Sequence, residues 1–124
     1  MLSKQTTMKI YCKACGLPLT NDLQEYTGRS FGEADKQPFV QKGFYAISDG
    51  EYFTDTEGSF IANVEDMVNI MDHYNKGRLN GCCGMDGTDG INKLCANGHE
   101  IATEKSDCWM PTAVIFEKEK TILK

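Results

Sequence analysis

The sequence predicts an α+β fold: a small antiparallel sheet with one main helix and a zinc-stapled, Gly/Cys-rich loop region. Three observations lead there. Short runs of strand formers recur at 8–11, 44–48, 51–54, 101–103 and 112–116. One stretch, 64–76, carries apolar residues at helical spacing. The chain also holds six Cys and 12 Gly in 124 residues, with half of the Gly falling in 77–98.

The elements follow in chain order. Residues 1–7 are polar and read as a flexible leader, leaving 8–124 as a single zinc-binding domain, since this length has room for one domain. Met8, Ile10 and Tyr11 form a short strand running into Cys12. The segment 20–42 holds Gly28, Gly32 and Pro38 and reads as loop with at most one helical turn. At 44–48 and 51–54 two strand-rich runs flank Asp49-Gly50, a dipeptide suited to a type I′ hairpin turn. Asn63 then offers an N-cap, and Val64, Met67, Val68, Met71 and Tyr74 recur at i, i+3, i+4, i+7 and i+10, with Gly77 as a stop. That places the helix at 64–76 with its Met residues as core filler. From 77 to 98 turn formers are too dense for regular structure, and so long a loop needs something to hold it. Strands at 101–103 and 112–116 follow, and 117–124 reads as a charged, exposed strand extension.

Composition narrows the function. Leu, Ile, Val and Phe make up only about one residue in five, near the level below which charged chains are disordered. A metal offsets so thin a core, because structural zinc contributes folding free energy directly. The formal net charge is −5, which argues against non-specific nucleic-acid binding or attachment to anionic membranes. No apolar run approaches a membrane span, and 1–8 reads MLSKQTTM, without the apolar core of an export signal. The expected compartment is the cytoplasm, where thiols stay free or bind metal. Between Lys42 and Lys76 there is no Lys or Arg, while Asp49, Glu51, Asp55, Glu57, Glu65, Asp66 and Asp72 fall in that span. An acidic face there fits solubility, or docking of another, basic protein.

The cysteines carry the chemistry. In Cys12-x-x-Cys15-Gly16 two intervening residues let both sulfurs reach one metal, and the Gly tolerates the positive φ of the turn. The rival reading, a thiol redox enzyme using Cys12 and Cys15, needs a long helix after the motif, and Gly16-Leu17-Pro18 is poor helix material. Completing a tetrahedral site takes two more ligands, and the chain supplies Cys82, Cys83, Cys95 and Cys108, plus His99 four residues after Cys95. Cys95 and Cys108 are the first choice: Cys95-Ala96-Asn97-Gly98 is a half-knuckle, and Cys108 precedes the core candidate Trp109. Alternatively the later cysteines form a site of their own, with one of Cys82 and Cys83 a spare buried thiol. His99 reads as a surface residue in a turn. The function expected is a small protein with structural zinc, a non-catalytic interaction module; a zinc-dependent hydrolase with water as one ligand is a further alternative.

The knuckle resembles those of zinc-ribbon and related zinc-finger domains, in which two ligand pairs sit on loops of short hairpins; the resemblance implies a four-ligand zinc site. The gap from Cys15 to Cys82 is far longer than in a simple ribbon. Separately, the run from Gly81-Cys82-Cys83-Gly84 through Asp89-Gly90 and Cys95 to Ser106-Asp107-Cys108-Trp109 resembles a segment of small bacterial proteins of uncharacterised family, and that resemblance brings no activity. Other signatures fail. His99-Glu100-Ile101-Ala102-Thr103 lacks the second His of H-E-x-x-H. Glu100 follows His99 directly, which breaks the zinc-deaminase pattern. Asp86 to Asn97 lacks the spacing and closing Glu of an EF-hand.

Overall fold

The computed structural model describes residues 6–28 and 30–124, so most of the proposed leader lies outside the described residues. The α+β expectation is overturned. The described residues form nine strands: β1 (Ile10–Cys12), β2 (Gln24–Glu25), β3 (Phe44–Ile47), β4 (Phe60–Ala62), β5 (Ile70–Asp72), β6 (Lys93–Cys95), β7 (Glu100–Lys105), β8 (Ala113–Phe116) and β9 (Thr121–Leu123). The only helical pieces among them are two three-residue 3-10 turns, Val64–Asp66 and Lys76–Arg78.

Seven strands make one sheet in the order β2-β3-β4-β8-β7-β6-β5, and β1 with β9 makes a second. All pairings are antiparallel except β2 with β3. The centre is β8, whose four residues are all buried. A continuously apolar strand is what burial on both faces demands, and β8 serves two clusters by alternation. Val114 and Phe116 join Ile10, Cys12, Leu19, Leu23 and Cys95 in one. Ala113 and Ile115 join Phe39, Val40, Phe53 and Ile61 in the other. The first cluster packs β1 against the large sheet and so brings the start of the chain to the end of β6.

The helix expected at 64–76 does not form. Asn63 does cap, its side chain accepting from the Glu65 N–H at 2.8 Å, but it caps a single turn. Met67 then bridges to Thr20, and the Val68 N–H donates to the Leu19 carbonyl at 2.8 Å. Asn69 takes a left-handed φ of 56°, and β5 follows. Met71 is 44% and Tyr74 81% exposed, so the helical spacing describes no buried face. The Asp49-Gly50 hairpin is also corrected. Only Gly50 has positive φ, and the Glu51 N–H turns back onto Asp49 Oδ1 at 2.9 Å. β3 pairs instead with β4, Ile47 opposite Phe60.

The 77–108 stretch is less of a loop than its Gly content implies. It contains β6 and the whole of β7, a hairpin, and side chains tie the rest. Asn92 accepts from the Glu104 N–H at 2.6 Å and donates to its carbonyl at 2.9 Å. Arg78 donates to the Ile91 carbonyl at 2.9 Å. Of the acidic span, Asp66 is buried and accepts from the Gly43 N–H at 2.7 Å; Asp49, Glu51, Asp55, Glu57, Glu65 and Asp72 are exposed. Among the described residues no helix is long and apolar enough to cross a membrane.

Candidate metal centre

Two tight turns, one from each sheet, meet at four ligand atoms. The first follows β1. The Gly16 N–H donates back to the Cys12 carbonyl at 2.7 Å, and Gly16 closes the turn at φ 77°. The second joins β6 to β7. There the Gly98 N–H donates to the Cys95 carbonyl at 2.8 Å, the Cys95 N–H to the His99 carbonyl at 2.9 Å, and Gly98 has φ 89°. Each turn is short, glycine-closed and presents a ligand at both ends.

Cys12, Cys15, Cys95 and His99 thereby place their ligand atoms within 4.8 Å of one another, a group that can hold a metal ion. The edges are informative. Zinc with Zn–S near 2.3 Å and Zn–N near 2.0–2.1 Å in a tetrahedron requires S···S of about 3.8 Å and S···N of about 3.6 Å. Cys15 Sγ lies 3.8 Å from Cys95 Sγ. His99 Nδ1 lies 3.7 Å from Cys12 Sγ and 3.3 Å from Cys95 Sγ. Two of these three distances match tetrahedral edges and the third is shorter, with His99 presenting Nδ1 to both sulfurs.

The surroundings act oppositely on the two knuckle thiols. Asn97 donates its side-chain amide to Cys15 Sγ at 3.3 Å. That bond first, then the Leu17 N–H, holds the exposed Cys15 thiol down to about 6. Cys12 is buried, and burial pushes its thiol up against the N–H groups of Cys15 and Ala14, which point at the sulfur. A bound cation reverses that penalty, since a coordinating thiol is deprotonated outright. Beside the centre opens a cleft of about 480 Å³ lined by Cys12, Lys13, Ala14, Gly98, His99, Glu100, Glu119 and Lys120.

The remaining predicted ligands lie elsewhere. Cys108 is not beside Cys12 and Cys15; it is disulfide-bonded to Cys83. Cys82, Cys83 and Cys108 form a second group with sulfurs within 4.8 Å, and Cys82 is free and exposed. His99, read from sequence as a surface turn residue, occupies the position assigned there to Cys108. The signal for it is spacing: His99 follows Cys95 by four residues, and a Cys-x-x-x-His interval lies within the range of paired zinc ligands. No family model, no curated protein and no solved structure matches this chain significantly. The likeness to zinc knuckles therefore rests on Cys12, Cys15 and Gly16.

Proposed function

We propose that this is a zinc protein in which Cys12, Cys15, Cys95 and His99 hold one structural ion, and that it acts as a non-catalytic interaction module. The observation that carries the reading is the convergence of four ligand atoms, with near-tetrahedral Cys15–Cys95 and Cys12–His99 spacings, between two glycine-closed turns drawn from different sheets. Three sulfurs and one imidazole suit zinc, and four protein ligands close the coordination sphere. A hydrolytic zinc keeps a position open for water, so the cleft beside Cys12 and His99 adjoins the ion without giving substrate access to it. The exposed acids of 49–72, in a span without Lys or Arg, support a basic protein as the partner.

Elemental analysis with thiol titration tests the metal. The expected result is about one zinc per chain, lost in Cys95→Ser and in His99→Ala and retained in Cys108→Ser. Zinc that survives His99→Ala while Cys108→Ser removes it sinks this ligand set. For the partner, binding of a basic peptide that weakens as salt rises is expected, and salt-independent binding contradicts the docking role.

A further inference from the structure

The second cysteine group is built differently from the first. No imidazole faces it, and two of its sulfurs are already bonded to each other. Its frame is one carboxylate. Asp107, buried, accepts from the N–H groups of Cys82 at 2.9 Å, Cys83 at 3.0 Å and Cys108 at 2.8 Å, and from Trp109 Nε1 at 2.9 Å. One side chain thus pins the backbone of all three cysteines. Next to it the Ser106 N–H donates to the Met85 carbonyl at 2.8 Å, and the Met85 N–H to Ser106 Oγ at 3.3 Å. Gly84 packs so closely that a Cβ there would lie 2.2 Å from the Ser106 carbonyl oxygen.

These ties bear on what the disulfide is for. A disulfide that only staples a loop is the bond on which the loop's position depends. Here 82–85 and 106–109 are fastened by hydrogen bonds that do not pass through sulfur. Those ties hold both backbone segments independently of the S–S bond, and Asp107 Oδ1, 3.4 Å from Cys83 Sγ, would accept from the Cys83 thiol of the opened form. Cys83 is exposed and Cys108 half-buried, so an incoming thiolate reaches Cys83 first. Cys82 stands beside the pair as a free, exposed third thiol.

We propose that Cys82, Cys83 and Cys108 form a thiol–disulfide exchange site, held open to solvent by the Asp107 carboxylate, that takes low-molecular-weight thiols and acts separately from the metal centre. Exchange proceeds by thiolate attack on a disulfide sulfur. A thiolate RS⁻ attacks Cys83 Sγ; the R–S–Cys83 bond forms, the Cys83–Cys108 bond breaks, and Cys108 leaves as a thiolate that takes up a proton. A second RS⁻ attacks the sulfur of the bound R group, forming RSSR and releasing Cys83 as a thiolate that is protonated in turn. Two thiols are oxidised by two electrons, and the protein disulfide is reduced by two. Within the group, the Cys82 thiol loses its proton to solvent and attacks Cys108 Sγ. The Cys82–Cys108 bond replaces Cys83–Cys108, Cys83 departs as thiolate, and no electrons enter or leave.

The test equilibrates the zinc-loaded protein with glutathione at a series of reduced-to-oxidised ratios. Acid quenching and mass spectrometry then map the linkages, and Trp109, the single Trp, reports by fluorescence. Expected are a reversible two-electron transition with complete loss of the Cys83–Cys108 linkage at the reducing end, a matching Trp109 signal, and unchanged zinc content and circular dichroism. Cys83→Ser should form a Cys82–Cys108 linkage under oxidising glutathione, while Cys82→Ser should keep the transition. The proposal is overturned by a bond that stays oxidised at every ratio, or by reduction that unfolds the chain. It is equally overturned by a Cys83→Ser protein whose Cys82 and Cys108 stay unlinked, or by a reduced form that takes up a second zinc and no longer reoxidises.

Discussion

At the scale of single residues, two side chains act through what they hold in place. Asn97 is exposed, yet its amide donates to Cys15 Sγ at 3.3 Å from outside the group of four ligand atoms. Loss of such an outer hydrogen bond weakens metal sites by about 10–100-fold. Asn97→Ala is therefore expected to fold normally and to lose zinc affinity by about that factor, read by competition with a chromophoric chelator. Asp107 is the second case. The N–H groups of Cys83 and Cys82 hold its carboxyl down to about 2. Because the folded value is depressed, the stabilisation is complete above the ordinary aspartate value of about 4 and disappears as pH falls from there toward 2. Chemical denaturation of wild type and Asp107→Asn should show wild type more stable at pH 6, with the gap clearly narrowed at pH 2.5. Taking the difference cancels any acid-induced loss of metal common to both proteins. A gap that is unchanged at pH 2.5 would falsify the role given to this carboxylate.

Single elements show where sequence reasoning succeeds and where it stops. β8 was legible because Ala113, Val114, Ile115 and Phe116 form an unbroken apolar run bounded by Pro111 and Glu117, which leaves few alternatives. Its burial on both faces makes Phe116→Ala costly, by about 3–5 kcal/mol, measurable as a shift of the denaturation midpoint without a change in slope. The 64–76 segment was misread because apolar residues three and four apart are equally available to a strand with turns on either side. What decides is Asn: Asn63 and Asn75 each cap one 3-10 turn, and Asn69 adopts left-handed φ between them. A helix would have to accommodate Asn69 in its interior without any competing local bond, whereas here its side chain donates to the Pro18 carbonyl at 2.8 Å. The metal site divides in the same way. Cys12, Cys15 and Gly16 were readable because ligands and turn are contiguous. Cys95 was readable from its turn Gly. Cys108 was misplaced because proximity to Cys12 across the fold leaves no trace in local spacing.

For the whole molecule, the centre bridges the two sheets. Cys12 ends β1 in the small sheet, and Cys95 ends β6 in the large one. The sheets share the cluster around Phe116, so an ion held by the four ligands would add to an existing contact. Structural zinc sites contribute on the order of 10 kcal/mol to folding in small metal-dependent domains. Chelation is accordingly expected to lower the melting temperature sharply. Amide exchange should rise first in 12–17, 95–99 and the β1–β9 pair, and only later in β4 and β8. Uniform exchange on chelation, with β8 opening as early as β9, contradicts the bridging role.

The two glycine-closed turns lie 80 residues apart in sequence, measured from Cys15 to Cys95. On a ribosome the chain emerges from its N-terminus at roughly 5–20 residues per second. The first knuckle is exposed for several seconds before its counterpart exists. During that interval Cys12 and Cys15 offer two thiols where a closed tetrahedral site needs four ligands, so any ion captured early is held loosely and exchangeably. Tight capture waits until β6, the Gly98 turn and His99 have been made. On the proposed zinc reading, metallation is thereby tied to completion of the second half of the chain, and a nascent chain arrested before Cys95 would remain, in metal content, an unfinished protein.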